Sequence, residues 1–245
     1  DLLSPREQEV LKRVAGGLSS KEIGADLNIS PRTVETHRAS LMRKLGLHSI
    51  AELTRFAIEK GLVDRIEIVA IPTTPPAPNE QLARDNPLAK IPTLVLEDGR
   101  SLYDSFVICD YLDTLHAGEK VIPASGARRW EVLTVHALGN GIADAALLCR
   151  YESVLRPEAL RWPDWMRGQM KKVMGGLDWL ESNVTIIGSA GANDVDLGQI
   201  TVACALGYLD FRFADVNWRP VRPKLAGWFT AFSQRASMQR TMPTA

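Results

Sequence analysis

The sequence predicts a mainly α chain with a small α/β part in its middle. Three observations carry that expectation. Helix-start boxes recur through the first 52 residues, a β-branched alternating stretch and a hairpin lie between residues 65 and 103, and apolar segments of helical spacing fill most of 127–236.

The first box is Ser4-Pro5-Arg6-Glu7, with a capping hydroxyl, Pro at the first helical position and Glu at the third, where it reaches back to the cap. Ser19-Ser20-Lys21-Glu22 repeats it without Pro, Ser30-Pro31-Arg32-Thr33 again sets Pro after Ser, and Ser49-Ile50-Ala51-Glu52 is a fourth. Gly16-Gly17, Leu27-Asn28-Ile29 and Gly46-Leu47-His48 supply the stops and turns. Four short helices follow from this. Val10, Leu11 and Val14 form one apolar stripe, and Ile23, Leu27 and Ile29 close on it. In the third helix Val34, His37, Leu41 and Leu45 fall at spacings of three and four and face inward. Its other face carries Arg32, Glu35, Thr36, Ala39 and Arg43, a small, polar and cationic surface able to enter a major groove. Without a motif, Lys21 and Arg43 would read as plain solvated charges. His37, on the inward side, reads as structural.

From Arg65 the pattern turns mixed. Arg65-Ile-Glu-Ile-Val-Ala-Ile71 alternates and is β-branched, so it reads as a strand. Pro72 to Pro78 holds four prolines and reads as an irregular loop. Pro92–Leu96 and Ser101–Tyr103 flank Glu97-Asp98-Gly99-Arg100, which has the chemistry of a hairpin turn. Asp104 then opens a helix containing Val107, Ile108, Tyr111 and Leu112. Further on, Trp130–Tyr151, Trp165–Glu181, Leu197–Phe211 and Val221–Phe232 read as helices, the third introduced by an Asp196…Gln199 box. Its run Ile200–Leu206 is apolar on all sides and is expected at the centre.

Composition narrows the classes. Formal charge is zero, so no basic or acidic tail points to a membrane surface or to bulk nucleic-acid coating. Residues 1–63 hold ten Lys/Arg against eight Asp/Glu, and the remainder nineteen against twenty-one, a split compatible with a DNA module whose cations share one face. Cys109, Cys149 and Cys204 form no C-x-x-C pair, so neither zinc nor a redox dithiol is indicated. As buried thiols they fit a reducing cytoplasm. No stretch approaches the roughly 18 uninterrupted apolar residues of a spanning helix, so no membrane partner is expected. The chain starts at Asp1 without initiator Met or a signal-like segment, and a segment upstream is expected.

Leu3-Ser-Pro-Arg-Glu7, Gly17-Leu-Ser-Ser-Lys-Glu-Ile23, Ile29-Ser-Pro-Arg-Thr-Val-Glu-Thr-His-Arg38 and Leu41-Met-Arg-Lys-Leu45 resemble the output domain of LuxR/FixJ-type response regulators over about residues 2–63. The resemblance implies a tetrahelical helix-turn-helix domain, dimeric and specific for double-stranded DNA, with Ser30–Lys44 as recognition helix. It places Glu35, Thr36 and Ala39 near base edges and Lys21, Arg32, Arg38 and Arg43 at phosphates. Glu35 cannot bind phosphate; it either accepts from a cytosine amino group or positions a neighbouring Arg.

Asn86-Pro-Leu-Ala-Lys-Ile-Pro92, Asp98-Gly99, Leu102-Tyr-Asp-Ser105 and Tyr111-Leu-Asp113 resemble the second half of a glutathione transferase N-terminal domain. Ala145-Ala-Leu-Leu, Arg150-Tyr-Glu152 and Gly207-Tyr-Leu-Asp-Phe-Arg212 look like the all-helical C-terminal domain of bacterial members. This resemblance covers about residues 54–240. It implies a cis peptide at Pro92, a backbone pairing of Ile91, next to Lys90, with the cysteinyl part of glutathione, and a hold by Asp104 and Ser105 on its γ-glutamyl end at a helix N-terminus. Read without the family, Asp104-Ser105 is a helix cap.

The expected organisation is a helix-turn-helix domain at 1–63, a truncated thioredoxin-like layer at 64–118 and an all-helical domain at 119–245. A family member would start with a strand and then a Ser, Cys or Tyr that stabilises the glutathione thiolate. Here the positions before Ala57 belong to the DNA module, with helix Ala51–Lys60 standing in for the first transferase helix and nothing for the first strand. Its absence opens a slot between Ile66–Ile71 and Pro92–Leu96, and each unpaired buried amide there costs on the order of 1–3 kcal/mol. Re-pairing, filling of the slot or a loosely ordered half-layer are the outcomes. Three functional readings stay open: a transcription regulator whose C-terminal module dimerises or binds a thiol ligand, with glutathione as ligand and no metal; a glutathione-dependent enzyme acting on electrophiles; and a fusion whose halves have no joint role.

Overall fold

A computed structural model describes residues 3–15, 18–45, 68–96, 98–116, 118–191 and 195–243. The contacts divide the chain into two compact units, Asp1–Gly118 and Glu119–Ala245.

In the first unit the helix-start boxes act as written. Helix α1 (Pro5–Ala15) is entered through a reciprocal cap: the Glu7 amide donates to Ser4 Oγ at 3.2 Å and the Ser4 amide to the Glu7 carboxylate at 2.8 Å. Ser19 and Glu22 repeat the exchange before α2 (Ser20–Asp26), and Ser30 Oγ accepts from the Thr33 amide at 3.1 Å before α3 (Pro31–Leu45). Caps of this kind each stabilise a helix by about 1 kcal/mol. Leu3, Val10, Leu11, Val14, Ile23, Val34 and Leu41 form a buried core, with Leu27, Ile29 and Leu45 packed at its margin. The turn between α2 and α3 is tight: a Cβ on Gly24 would lie 2.7 Å from the Ile29 carbonyl oxygen, and Asn28 takes a left-handed φ of 53°. The fourth box at Ser49, the helix expected over Ala51–Lys60 and residues 65–67 of the expected strand fall outside the described residues.

The remainder of this unit departs from expectation at one point. Ile68–Ile71 are in no strand, and Ile68 and Val69 are 89% and 64% exposed. The alternating pattern is present, but a strand is defined by its neighbour, and the only ladder among the described residues is the hairpin of β1 (Leu94–Val95) and β2 (Ser101–Leu102), with Leu94 opposite Leu102. Of the outcomes foreseen for the slot, the described residues show no re-pairing of Ile68–Ile71. The proline loop closes on a single bridge, Thr74 to Ala77. A helix that periodicity did not announce, α4 (Glu80–Asp85), follows it, capped by Asn79 through the Leu82 amide at 3.0 Å. Helix α5 (Ser105–Thr114) starts at Asp104.

The second unit is all-helical. Helix α6 (Gly126–Val154) crosses α7 (Pro163–Ser182) and α9 (Leu197–Arg212), with the short α8 (Val184–Ile187) between them in sequence and α10 (Pro223–Phe232) and α11 (Ala236–Arg240) at the end. Two 3₁₀ turns, Glu158–Leu160 and Ala214–Val216, link these helices. Helices α6 and α9 approach closely at Gly139, where a Cβ would meet Thr201 Cγ2 at 3.0 Å and the Val202 amide nitrogen at 3.1 Å. By length and composition α6 could cross a membrane, with 29 residues that include an 18-residue window of mean hydropathy 1.5. In the fold its apolar stripe, Val135, Ile142, Ala145 and Ala146, joins Val173, Leu177, Val202, Leu206 and Leu209 in the core.

Asp196 and Gln199 form the expected box before α9. That helix is central but not buried all round: Cys204 is exposed, while Cys149 is buried and Cys109 half-buried. The expectation of three buried thiols thus holds in full only at Cys149, is half met at Cys109 and fails at Cys204, because a run of small residues fits either side of a helix. The buried Glu152 accepts from the Trp162 amide at 2.8 Å and pairs with Arg156 at 2.7 Å, tying the end of α6 to the start of α7. Glu181 caps α10 from α7, accepting from the Leu225 amide at 2.7 Å.

Candidate functional site

The residues expected from the sequence to face DNA lie on α2 and α3. Lys21 on α2 and Arg32, Glu35, Thr36, Ala39 and Arg43 on α3 are all exposed, while Val34 and Leu41 behind them are fully buried. His37 is half-buried, in keeping with its inward position. Lys21, Arg32 and Arg43 form no ion pair among the described residues and present their charge to solvent. The Thr36 hydroxyl is turned back on the helix, donating to the Arg32 carbonyl at 3.0 Å.

Arg38 differs from the other cations. Its side chain is 18% exposed and its guanidinium donates to Ser20 Oγ at 2.7 Å and to the Glu35 carboxylate at 3.0 Å. Ser20 Oγ in turn donates to the same carboxylate. Glu35 thus contacts a neighbouring Arg, the contact that the second of its two expected roles requires. The hydroxyl of Ser20 makes the link from α2 to α3, a role without a sequence signal because Ser20 lies inside the capping box as a bystander.

A second unpredicted link joins α1 to α3. Glu7, 4% exposed, accepts from Ser40 Oγ and Lys44 Nζ, each at 2.8 Å, besides capping its own helix. The Lys44 ammonium, then the Ser4 amide and the Ser40 hydroxyl, lower its carboxyl from the usual 4.5 to about 2.

The loop expected to face a thiol ligand is built on Asn86. This side chain is 1% exposed; its Nδ2 donates to the Lys90 carbonyl at 2.9 Å and to Thr93 Oγ1 at 3.2 Å, and its Oδ1 accepts from the Leu88 amide at 3.0 Å. Thr73 Oγ1 donates to the Ala89 carbonyl at 3.0 Å, fastening the loop to the preceding segment. Within that frame Lys90, Ile91 and Pro92 are exposed, Ile91 at 63%, and the Ile91–Pro92 peptide is cis. Asp104 Oδ1 accepts from the Phe106 amide at 3.1 Å, so the helix-cap role is occupied; Ser105, the first residue of α5, is half-buried. Burial, with Asp113 adding to it, pushes the Cys109 thiol up. Asn86 opens the Asn86–Pro92 stretch quoted from the sequence, but no spacing rule joins its side chain to the Lys90 carbonyl and Thr93 Oγ1. Among the described residues no group of three His, Cys, Asp or Glu side chains is placed to hold a metal ion.

Comparison with known proteins agrees with both halves. The model of bacterial regulatory proteins of the luxR family matches residues 1–57, that of the glutathione S-transferase N-terminal domain residues 55–115, and that of its C-terminal domain residues 163–231. The uncharacterised GST-like protein YibF of Escherichia coli K12 is 31% identical over 194 residues, covering 79% of this chain and 93% of YibF. FixJ of Rhizobium meliloti is 51% identical over 59 residues, 24% of this chain, which spans only 29% of FixJ. A crystal structure of a glutathione transferase family member from Pseudomonas fluorescens Pf-5, with bound glutathione, is 43% identical with a TM-score of 0.71, covering 80% of this chain and 94% of that one.

Proposed function

The chain belongs to the glutathione S-transferase family and carries a LuxR-family helix-turn-helix domain ahead of the transferase-like region, and from that premise we propose that it is a sequence-specific DNA-binding transcriptional regulator whose transferase-like module dimerises it or binds a thiol ligand. The observation that carries the reading is the complete α2–turn–α3 unit, with Lys21, Arg32, Thr36, Ala39 and Arg43 on one exposed face above a buried apolar core. Arg32 and Arg43 would lie along the phosphates, and Thr36 and Ala39 at base edges, where small side chains allow close approach. Glutathione is the ligand that the exposed Ile91–Pro92 edge and the start of α5 would take, as the Pseudomonas relative binds it.

A mobility-shift titration of the full chain against genomic fragments at several salt concentrations tests this. Lys21→Ala and Arg43→Ala should each reduce the salt slope by about 0.9 if each side chain neutralises one phosphate. Binding that neither substitution alters would remove the assigned face. The second reading, a glutathione-conjugating enzyme, is favoured by the same Pseudomonas relative with its bound glutathione. Against it stands the sequence ahead of Ala57, which belongs to the DNA module and supplies no thiol-activating Ser, Cys or Tyr. Turnover of a chlorinated aromatic with glutathione would establish the enzyme reading. Retention on immobilised glutathione that Asp104→Ala abolishes, without turnover, would support the ligand role.

A further inference from the structure

Lys21, Arg32, Arg38 and Arg43, the cations expected at phosphates, are not equivalent in the fold. Lys21, Arg32 and Arg43 are exposed and form no ion pair among the described residues, whereas the Arg38 side chain is only 18% exposed. Its Nη1 donates to two acceptors, Ser20 Oγ at 2.7 Å and Glu35 Oε1 at 3.0 Å. The Ser20 hydroxyl donates to the same Glu35 oxygen. Side chains from α2 and α3 therefore close a ring of hydrogen bonds around the guanidinium.

Glu35 alone would hold Arg38 weakly. The two lie three residues apart on one helix, the Glu35 side chain is 58% exposed, and a solvated pair at that spacing contributes little. Ser20 changes the balance. It is the first residue of α2 and not its cap: Ser19 accepts from the Glu22 amide, so the Ser20 hydroxyl is left to reach α3. The Ser19–Glu22 box fixes the backbone on which that hydroxyl stands. A hydroxyl that accepts from the guanidinium and donates to the carboxylate polarises both bonds in the same sense, and each strengthens the other.

The charge on the face follows. Each Lys or Arg that neutralises a phosphate releases a condensed counterion and adds about 0.9 to the steepness of the salt dependence of binding. Arg38 paired with Glu35 is a neutral unit. Its remaining nitrogens can donate a hydrogen bond, but the unit brings no net charge to the DNA backbone. We propose that Ser20 is a positioning residue that keeps Arg38 paired with Glu35, and so withdraws Arg38 from the charges that attract the DNA backbone and leaves Lys21, Arg32 and Arg43 to meet it. The proposal rests on the DNA-binding reading above, and its test lets the two fail separately.

The test titrates the purified full chain by fluorescence anisotropy into a duplex of random sequence at several salt concentrations, and reads the slope of log affinity against log salt. Lys21→Ala and Arg43→Ala should each flatten the slope by about 0.9. Arg38→Ala should leave it nearly unchanged. Glu35→Gln should steepen it by about 0.9, an increase that Arg38→Ala in the same background should remove. Ser20→Ala, which leaves the Ser19 cap in place, should steepen it by a smaller amount, and adding Arg38→Ala should return the parent slope. Ser20→Thr keeps a hydroxyl at this position and should behave as the parent. A merely structural role for Ser20 would lower the melting temperature without moving the slope. A parent slope in Ser20→Ala, or a flattening of about 0.9 by Arg38→Ala alone, overturns the proposal while the Lys21 and Arg43 variants still uphold the DNA face. A slope that none of these substitutions moves removes the face, and the proposal with it.

Discussion

Replacing Asn86 by alanine removes three hydrogen bonds from one buried position: those to the Lys90 carbonyl, to Thr93 Oγ1 and from the Leu88 amide. At about 1 kcal/mol net for each bond, the Asn86–Thr93 loop should lose about 3 kcal/mol of local stability, which is roughly a hundredfold in its opening equilibrium. The loss is concentrated because the loop holds Ala89 at a left-handed φ of 49°, a conformation that a non-glycine residue keeps only when its surroundings enforce it. The informative probe is the Ala89 amide, which donates to the Asn86 backbone carbonyl at 2.8 Å, a bond the substitution leaves intact. Amide hydrogen exchange at Ala89 should therefore accelerate by about two orders of magnitude through loop opening, and Ala89→Gly in the same background should restore part of the protection. Retention on immobilised glutathione should fall in parallel. An Ala89 exchange rate within about threefold of the parent would refute the view that Asn86 frames this loop.

Two further outcomes are expected. Glu7 binds its proton more weakly in the folded than in the unfolded chain, so its contribution is complete above pH 4.5 and is lost as the pH falls toward 2; exchange at the Val10 and Leu11 amides should rise across that window, and Glu7→Gln should flatten the dependence. Gly24→Ala gains about 1 kcal/mol of helix propensity but sets a Cβ 2.7 Å from the Ile29 carbonyl, an overlap with backbone that costs about 1–3 kcal/mol. The net should be a lower melting temperature for the DNA module and weaker mobility shifts, and an unchanged or raised melting temperature would contradict that geometry.

The parts of the fold legible in the sequence are those whose chemistry is local. Ser4 with Glu7, Ser19 with Glu22 and Asp196 with Gln199 announce helix starts because both partners lie within one turn. The same Glu7 also reaches Ser40 and Lys44, and no spacing rule connects residues 33 and 37 positions apart. Alternation at Ile68–Ile71 is legible as well, yet pairing belongs to two segments rather than one, and these residues are in no ladder. The six-residue α4 is shorter than two helical turns, too brief for periodicity to register behind a proline-rich loop. For the DNA face, the exposed set on α3 follows from helical spacing alone. What spacing could not settle was the state of Arg38, which depends on a hydroxyl contributed by α2.

If the Arg38 guanidinium meets DNA as the LuxR resemblance implies, the Ser20–Glu35–Arg38 contact makes that meeting an exchange reaction. Any phosphate or base that engages the Arg38 guanidinium must compete with an internal carboxylate already satisfied by it. Glu35, once released, faces a polyanion and repels it unless a base amino group donates to its carboxylate. A duplex offering that amino group is spared the repulsion, whereas others meet it in full. Discrimination among binding sequences would then arise from a penalty levied on the wrong ones, with modest overall tightness as its counterpart.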